Sequence, residues 1–276
     1  MCLEQFMSGD SALERCHSDI STIVGFQVEP LSVIQAVEQH RTFWRPAKSR
    51  LVLLAESHVH TTEDELMGTI RIPSNAPADL PLEFVRLVYC LGYGESGILD
   101  DNAPLNGRNG GTPQFWQVFY SCLHRVTSNA DSGDIQVSRT RDIRDRIANK
   151  LKLLLELRAH GIWLVDASIA ALYRQGKPKP PHWVREQVLR KSWDGHVRSV
   201  LQEASPEAVL CIGLGVARSL ESKLNELGVP WDAVPQPQAR LSKAERFEIF
   251  ATYLSVSTQP SSVREMRRRW LLESLK

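Results

Sequence analysis

The sequence predicts an α/β fold: three layers, α/β/α, around a central, mainly parallel four-stranded sheet. Three observations predict it. Four short apolar runs, 50–55, 162–165, 208–212 and 229–234, are bounded by polar or turn-forming residues, as strands buried on both faces are. Helical periodicity fills much of the chain between them, and strands joined through helices run parallel. With 276 residues and 42% hydrophobic content, one large core is within reach, so a single domain over 1–276 suffices.

The elements follow in order. Residues 1–25 have weak periodicity and read as a loosely docked arm. Residues 33–43 have helical spacing, with Pro30 before and Pro46 after. The first strand ends at Ala55, and 56–80, polar and Pro-containing, reads as mostly loop. Segments 81–91 and 114–126 read as helices. Between them, 92–111 is rich in Gly and Asn, and long loops in compact domains often carry function. The strongest helix spans 139–159, where Ile143, Ile147, Leu151, Leu154 and Leu155 form one stripe and charges cover the rest. Gly161 breaks it before the second strand. Residues 181–203 are helical, the third strand leads through Gly213 into a helix to Leu227, and the fourth strand ends at Val234. Helices over 242–255 and 261–275, the latter within a C-terminal segment from 260, close the chain.

Composition excludes several classes. No apolar run approaches the roughly 20 residues of a membrane span. The N-terminus lacks the basic and apolar regions of a secretory signal. The five cysteines form no C-x-x-C pair, which points to reduced thiols and a cytoplasmic location; no second His/Asp cluster completes the His58-x-His60 pair, so no metal is expected, and no cofactor. The net charge of +1 hides an asymmetry. Residues 1–138 carry 9 Lys+Arg against 17 Asp+Glu, 139–199 carry 14 against 6, and 200–276 carry 10 against 9. Such a basic middle can give one face a phosphate-attracting potential, although a solvated helix surface has the same composition.

In parallel sheets, ligands bind at the carboxyl ends of strands. Those ends carry Ala55-Glu-Ser-His-Val-His60, Asp166-Ala-Ser168 and Val234-Pro-Gln-Pro-Gln-Ala-Arg240. With Gly110-Gly-Thr-Pro-Gln-Phe115, they resemble in order and spacing the motifs of the uracil-DNA glycosylase superfamily, over roughly residues 50–245. In that family an apolar strand ends in a small residue and an acid or amide. A glycine-rich segment supplies the aromatic that stacks on the extruded base, a second strand ends in a base-reading Asn, and a late His-Pro-Ser-type loop pins the DNA. Here Ser57 stands where some branches have a catalytic Asp, Asp166 replaces the Asn, and Val234 and Gln236 replace His and Ser. One branch carries a four-cysteine iron–sulfur cluster, and the cysteine spacing here does not match it.

The resemblance implies a monomeric, monofunctional DNA glycosylase that hydrolyses an N-glycosidic bond with water. Glu56 would stabilise the oxocarbenium-like sugar and position the water, and His58 would donate to the leaving base. Asp166, Phe115, Ser57 and His60 would line the substrate pocket. An ionised Asp only accepts hydrogen bonds, so Asp166 suits an amine-bearing base such as a modified cytosine, with uracil the alternative. A branch that defends prokaryotes against phages with hypermodified DNA would have such a pocket. Gln236, Gln238, Arg240, Lys177 and Lys179 would contact DNA.

Plainer readings stand beside each role. Glu56 can be a surface acid and His60 an ordinary loop histidine, while Asp166 can cap the segment from Ala167. The aromatics among the basic residues of 177–193 read as core. Two rival functions remain: a DNA-binding protein of this fold without catalysis, and a metal-dependent hydrolase built on His58 and His60.

Overall fold

The structure is a computed structural model that describes residues 3–24, 28–71, 76–95, 113–127, 142–174, 176–266 and 269–273. Four parallel strands, β1 (Leu51–Ala55), β2 (Ile162–Asp166), β3 (Ala208–Ile212) and β4 (Trp231–Val234), form one sheet in the order β2-β1-β3-β4. Every strand residue is buried, which is why the strands read as continuous apolar runs. Leu51 is level with Ile162 on one side and Ala208 on the other, so the strands end together and present one edge of carboxyl termini.

The helices are α1 (Leu3–Val24), α2 (Leu31–Phe43), the single turn α3 (Glu63–Leu66), α4 (Pro113–Leu123) and α5 (Ile143–Ala159). Next, α6 (His182–Ser192), a π turn (Trp193–Val197) and α7 (Arg198–Ala204) run on without a break. Then come α8 (Leu214–Glu226), α9 (Lys243–Thr258), a 3-10 segment (Pro260–Met266) and α10 (Arg269–Glu273). Crossovers in such sheets are right-handed, so the connection from β1 to β2 and those from β2 to β3 to β4 fall on opposite faces. Accordingly α4 packs on α5 and α9, while α6 packs on α1 and α8. The chain reverses direction between β1 and β3, and there the crevice at the carboxyl edge opens. Among the described residues, no helix is long and apolar enough to cross a membrane.

β2 is an edge strand, and the fold closes part of its free side. The Leu164 amide donates to the Tyr89 hydroxyl at 2.6 Å, and Trp163 Nε1 donates to the Arg41 carbonyl at 2.9 Å. Gly161, which turns α5 into β2, has φ +76, and a Cβ there would meet the Lys48 carbonyl oxygen at 2.8 Å.

Four expectations are corrected. Over its described side chains the expected arm is docked: in α1, Leu13, Cys16 and Ile20 are buried at helical spacing against α6 and the π turn. Among the described side chains of α1, that narrow stripe alone is buried, which makes the periodicity weak. Segment 81–91 is not a helix, because its backbone is used elsewhere: Ile70 N–H donates to Leu82 O at 2.8 Å and Phe84 N–H to Gly68 O at 3.0 Å. In α5, Leu155 is exposed, while Arg146 and Lys150 are buried around the carboxylate of Glu95. The continuous helix expected over 261–275 is instead the 3-10 segment followed by α10. Cys16, Cys90, Cys122 and Cys211 are buried free thiols. Most of the Gly/Asn-rich stretch, including Gly110 to Thr112, lies outside the described residues.

Candidate functional site

Glu56 follows the last residue of β1 and sits at the crevice between β1 and β3. Its carboxylate is almost enclosed and is approached by three donors. The Tyr173 hydroxyl donates to Oε2, Gln236 Nε2 donates to Oε2 at 3.4 Å, and Arg185 donates to Oε1 at 3.3 Å. Tyr173 comes from the loop after β2, Arg185 from α6 and Gln236 from the loop after β4. Burial and the neighbouring Glu56 push the Tyr173 phenol up to about 12, so it remains a donor at neutral pH.

Each donor has a local cause. The pairing of β1 with β2 continues past the strands, because Ala167 N–H donates to Ala55 O at 2.7 Å and Ser168 N–H to Glu56 O at 3.0 Å. Farther on, Leu172 N–H donates to Ser57 Oγ at 3.1 Å and His60 N–H to Tyr173 O at 2.9 Å. These bonds sew 55–60 to 167–173 and bring the phenol back over Glu56. Gln236 reaches the carboxylate across Gly213. With φ +123, Gly213 leaves a gap in which a Cβ would lie 2.9 Å from Gln236 Cγ. The two motif glycines therefore differ: Gly213 admits Gln236, while Gly215 faces open space.

Beneath this crevice lies a chain of buried charges. His58 Nε2 is 2.9 Å from Glu29 Oε2, and His58 Nδ1 is 3.5 Å from Asp166 Oδ2, a distance at which attraction is Coulombic more than hydrogen-bonded. Arg41 donates to Asp166 Oδ2 at 2.9 Å and to Glu38. Glu29 also accepts from Thr61 N–H at 2.7 Å and Ala171 N–H at 2.9 Å. Burial alone would push the imidazole down. The charge of Glu29 and its hydrogen bond, together with the charge of Asp166, outweigh burial and hold His58 up to about 9. Burial likewise raises Glu29 and Asp166. The opposing pull of His58, aided for Asp166 by Arg41, keeps both below the usual carboxylate range.

Two expected roles are corrected by this geometry. The Asp166 side chain is 2% exposed and faces Arg41 and His58, so it offers no edge to a base. The His58 side chain is 0% exposed between two carboxylates, so it holds the loop and is not placed to protonate a leaving group. Glu29 and Arg41 were not legible as partners, because both come from elements distant in sequence.

The other expected residues fall in different places. Gln236 meets Glu56 directly. Lys179 stands with its Nζ 4.9 Å from the centroid of the Tyr173 ring, and His60, Lys177 and Lys179 line one neighbouring cavity. Ser57 spends its hydroxyl on the His58 carbonyl and the Leu172 amide. Gln238 and Arg240 are exposed on the turn beyond Gln236. Phe115 is half-buried on α4 against the core, and Trp116 is core. Trp193 is also core, but Trp183 is 59% exposed, contrary to expectation. It is the second residue of α6 and lies off the buried face formed by Val184, Val188 and Leu189. Among the described residues, no group of three or more His, Cys, Asp and Glu side chains is arranged to hold a metal ion. No protein-family model, curated protein or solved structure matches the chain, and its resemblance to uracil-DNA glycosylases rests on the four short motifs.

Proposed function

We propose that the protein is a monofunctional DNA glycosylase whose working carboxylate is Glu56. One observation carries the reading: the first and last motifs, far apart in sequence, meet where Gln236 Nε2 lies 3.4 Å from Glu56 Oε2, at the strand-order reversal. A carboxylate there would stabilise the oxocarbenium-like sugar and orient a water. Tyr173 and Arg185 would fix its direction, and the Gln236 amide would lie beside the extruded nucleotide. Lys177, Lys179, Gln238 and Arg240, all exposed, would meet the DNA backbone.

The enclosed Asp166 side chain gives no ground for preferring cytosine, so the test spans several bases. Purified protein is incubated with DNA containing uracil, hydroxymethylcytosine or glucosylated hydroxymethylcytosine, and alkali-labile sites are counted. The expected result is cleavage of one substrate, reduced by roughly a hundredfold or more in Glu56→Gln. Cleavage of the glucosylated base would assign the enzyme to defence against hypermodified viral DNA. A second reading, a DNA-binding protein without catalysis, is favoured by the three donors already on Glu56. No cleavage of any substrate, together with salt-dependent DNA binding, would establish that reading instead.

A further inference from the structure

The three donors on Glu56 are not equivalent. Oε2 accepts from the Tyr173 hydroxyl and from Gln236 Nε2, whereas among the described residues Oε1 accepts from Arg185 Nη1 alone, at 3.3 Å. That contact is long for a charged pair, in which N···O distances of about 2.7–2.9 Å are usual. It is also the one hydrogen bond or ion pair that the Arg185 side chain makes among the described residues. Its Nε is enclosed and has no partner. A buried donor without an acceptor is costly, and such groups in native proteins call for an explanation. Glu186, the next residue, is bonded to Arg190 at 2.7 Å. The Arg185 side chain is 27% exposed and that of Glu56 7%, so the guanidinium is the outer member of the pair. Its backbone is fixed in α6, where Val184, Val188 and Leu189 are buried and Arg185 N–H donates to Pro181 O at 3.1 Å. What can move is the side chain.

A guanidinium whose Nε and Nη2 edge is unengaged keeps the fork that takes two phosphate oxygens side by side. Only Nη1 is on Glu56. Lys179, with its Nζ 4.9 Å from the centroid of the Tyr173 ring, brings a second positive charge close to the carboxylate's own partner and favours an anion there. We propose, on the reading of Glu56 as the working carboxylate, that Arg185 binds a backbone phosphate beside the target nucleotide and leaves Glu56 to do so. Before DNA binds, Arg185 covers Oε1. The phosphate matches the fork and draws the guanidinium away. Oε1 is then open to the water and to the positive charge of the sugar, while Tyr173 and Gln236 keep Oε2 in place. The carboxylate is thereby uncovered only by a substrate with a backbone charge at that point, and a free nucleoside leaves it covered. No covalent bond is made or broken in the exchange.

The test compares excision from ordinary duplexes with excision from duplexes in which the phosphate 5′ or 3′ of the target nucleotide is an uncharged methylphosphonate. The native chain, Arg185→Ala and Arg185→Lys are assayed on each. On ordinary DNA, Arg185→Ala should raise KM about tenfold, as loss of one charged hydrogen bond does, and leave kcat within about threefold. At one of the two positions the methylphosphonate should lower kcat of the native chain about tenfold, because Arg185 stays on Oε1, and Arg185→Ala should then be the faster enzyme. Arg185→Lys, which keeps a charge without the fork, should have a KM between the two. A fall in kcat of Arg185→Ala on both kinds of DNA, with KM unchanged, would overturn the proposal, since the arginine would then only aim the carboxylate. So would a native chain indifferent to the methylphosphonate at both positions. If no duplex is cleaved, the glycosylase reading fails, and the exchange is read from fluorescence anisotropy with duplexes holding a tetrahydrofuran abasic analogue. There the methylphosphonate should weaken binding of the native chain about tenfold and leave Arg185→Ala unchanged, and Glu56→Gln should tighten binding only where Arg185 is present. Absence of either effect overturns the proposal.

Discussion

At the scale of single residues, His58 makes a prediction independent of catalysis. A histidine whose pKa rises from 6.5 to about 9 on folding binds more protons in the native state between those values. Its contribution to stability is therefore full below about pH 6.5 and is lost as pH rises through about 9. His40 and His196 behave oppositely. Burial lowers both, His196 to about 4, so the unfolded chain binds more protons below 6.5 and stability falls toward acid. Below the ordinary carboxylate values, Glu29 and Asp166 add to that fall. Urea unfolding should thus show maximal stability near pH 6.5, with a decline toward pH 8.5 of a kcal/mol or more. The decline should be clearly shallower in His58→Gln, leaving only the part due to the buried thiols, whose pKa values burial raises. A flat profile from pH 6.5 to 8.5 in the native chain would mean that the imidazole is not held between two charges.

At the scale of elements, the turn between β3 and α8 decides whether Gln236 reaches the crevice. Gly213→Ala puts a Cβ against Gln236 and forces an L residue to φ +123. It should cost about 1–3 kcal/mol in thermal unfolding and abolish the contact with Glu56. Gln236→Ala should change stability by only about 0.5 kcal/mol and, under the proposed function, reduce base excision as much as Gly213→Ala does. If Gly213→Ala alone reduces excision, Gln236 is not part of the machinery.

The same elements show what was legible in the sequence. The four strands were, because burial on both faces writes an uninterrupted apolar run. So was the position of Glu56 at the sheet's carboxyl edge, because the apolar run ends directly before it. Segment 81–91 was not, since its extended centre is set by pairing with residues 68–70. The buried cations of α5 were equally hidden: Arg146 and Lys150 look like a solvated face until Glu95 is placed beside them. Asp166 was found as a residue, but its role was misread, because nothing near it in sequence announces Arg41.

At the scale of the whole molecule, the charge asymmetry is smaller on the surface than in the chain. Of the basic middle, Arg146 and Lys150 are internal and spent on Glu95, while Lys177 and Lys179 remain exposed beside the candidate site. DNA binding measured by fluorescence anisotropy over a salt series should weaken with added salt. In Lys177→Ala/Lys179→Ala, the slope of log K against log salt should fall by about 1.5–2. An unchanged slope would place the phosphate contacts elsewhere. The closed side of β2 has a consequence for the protein in crowded solution. An open parallel sheet offers a ladder on which another chain can grow by adding rungs. A phenol oxygen takes the Leu164 rung and carries no further backbone behind it. Polymerisation through that margin has therefore lost one of its first attachment points, a safeguard built from a single hydroxyl.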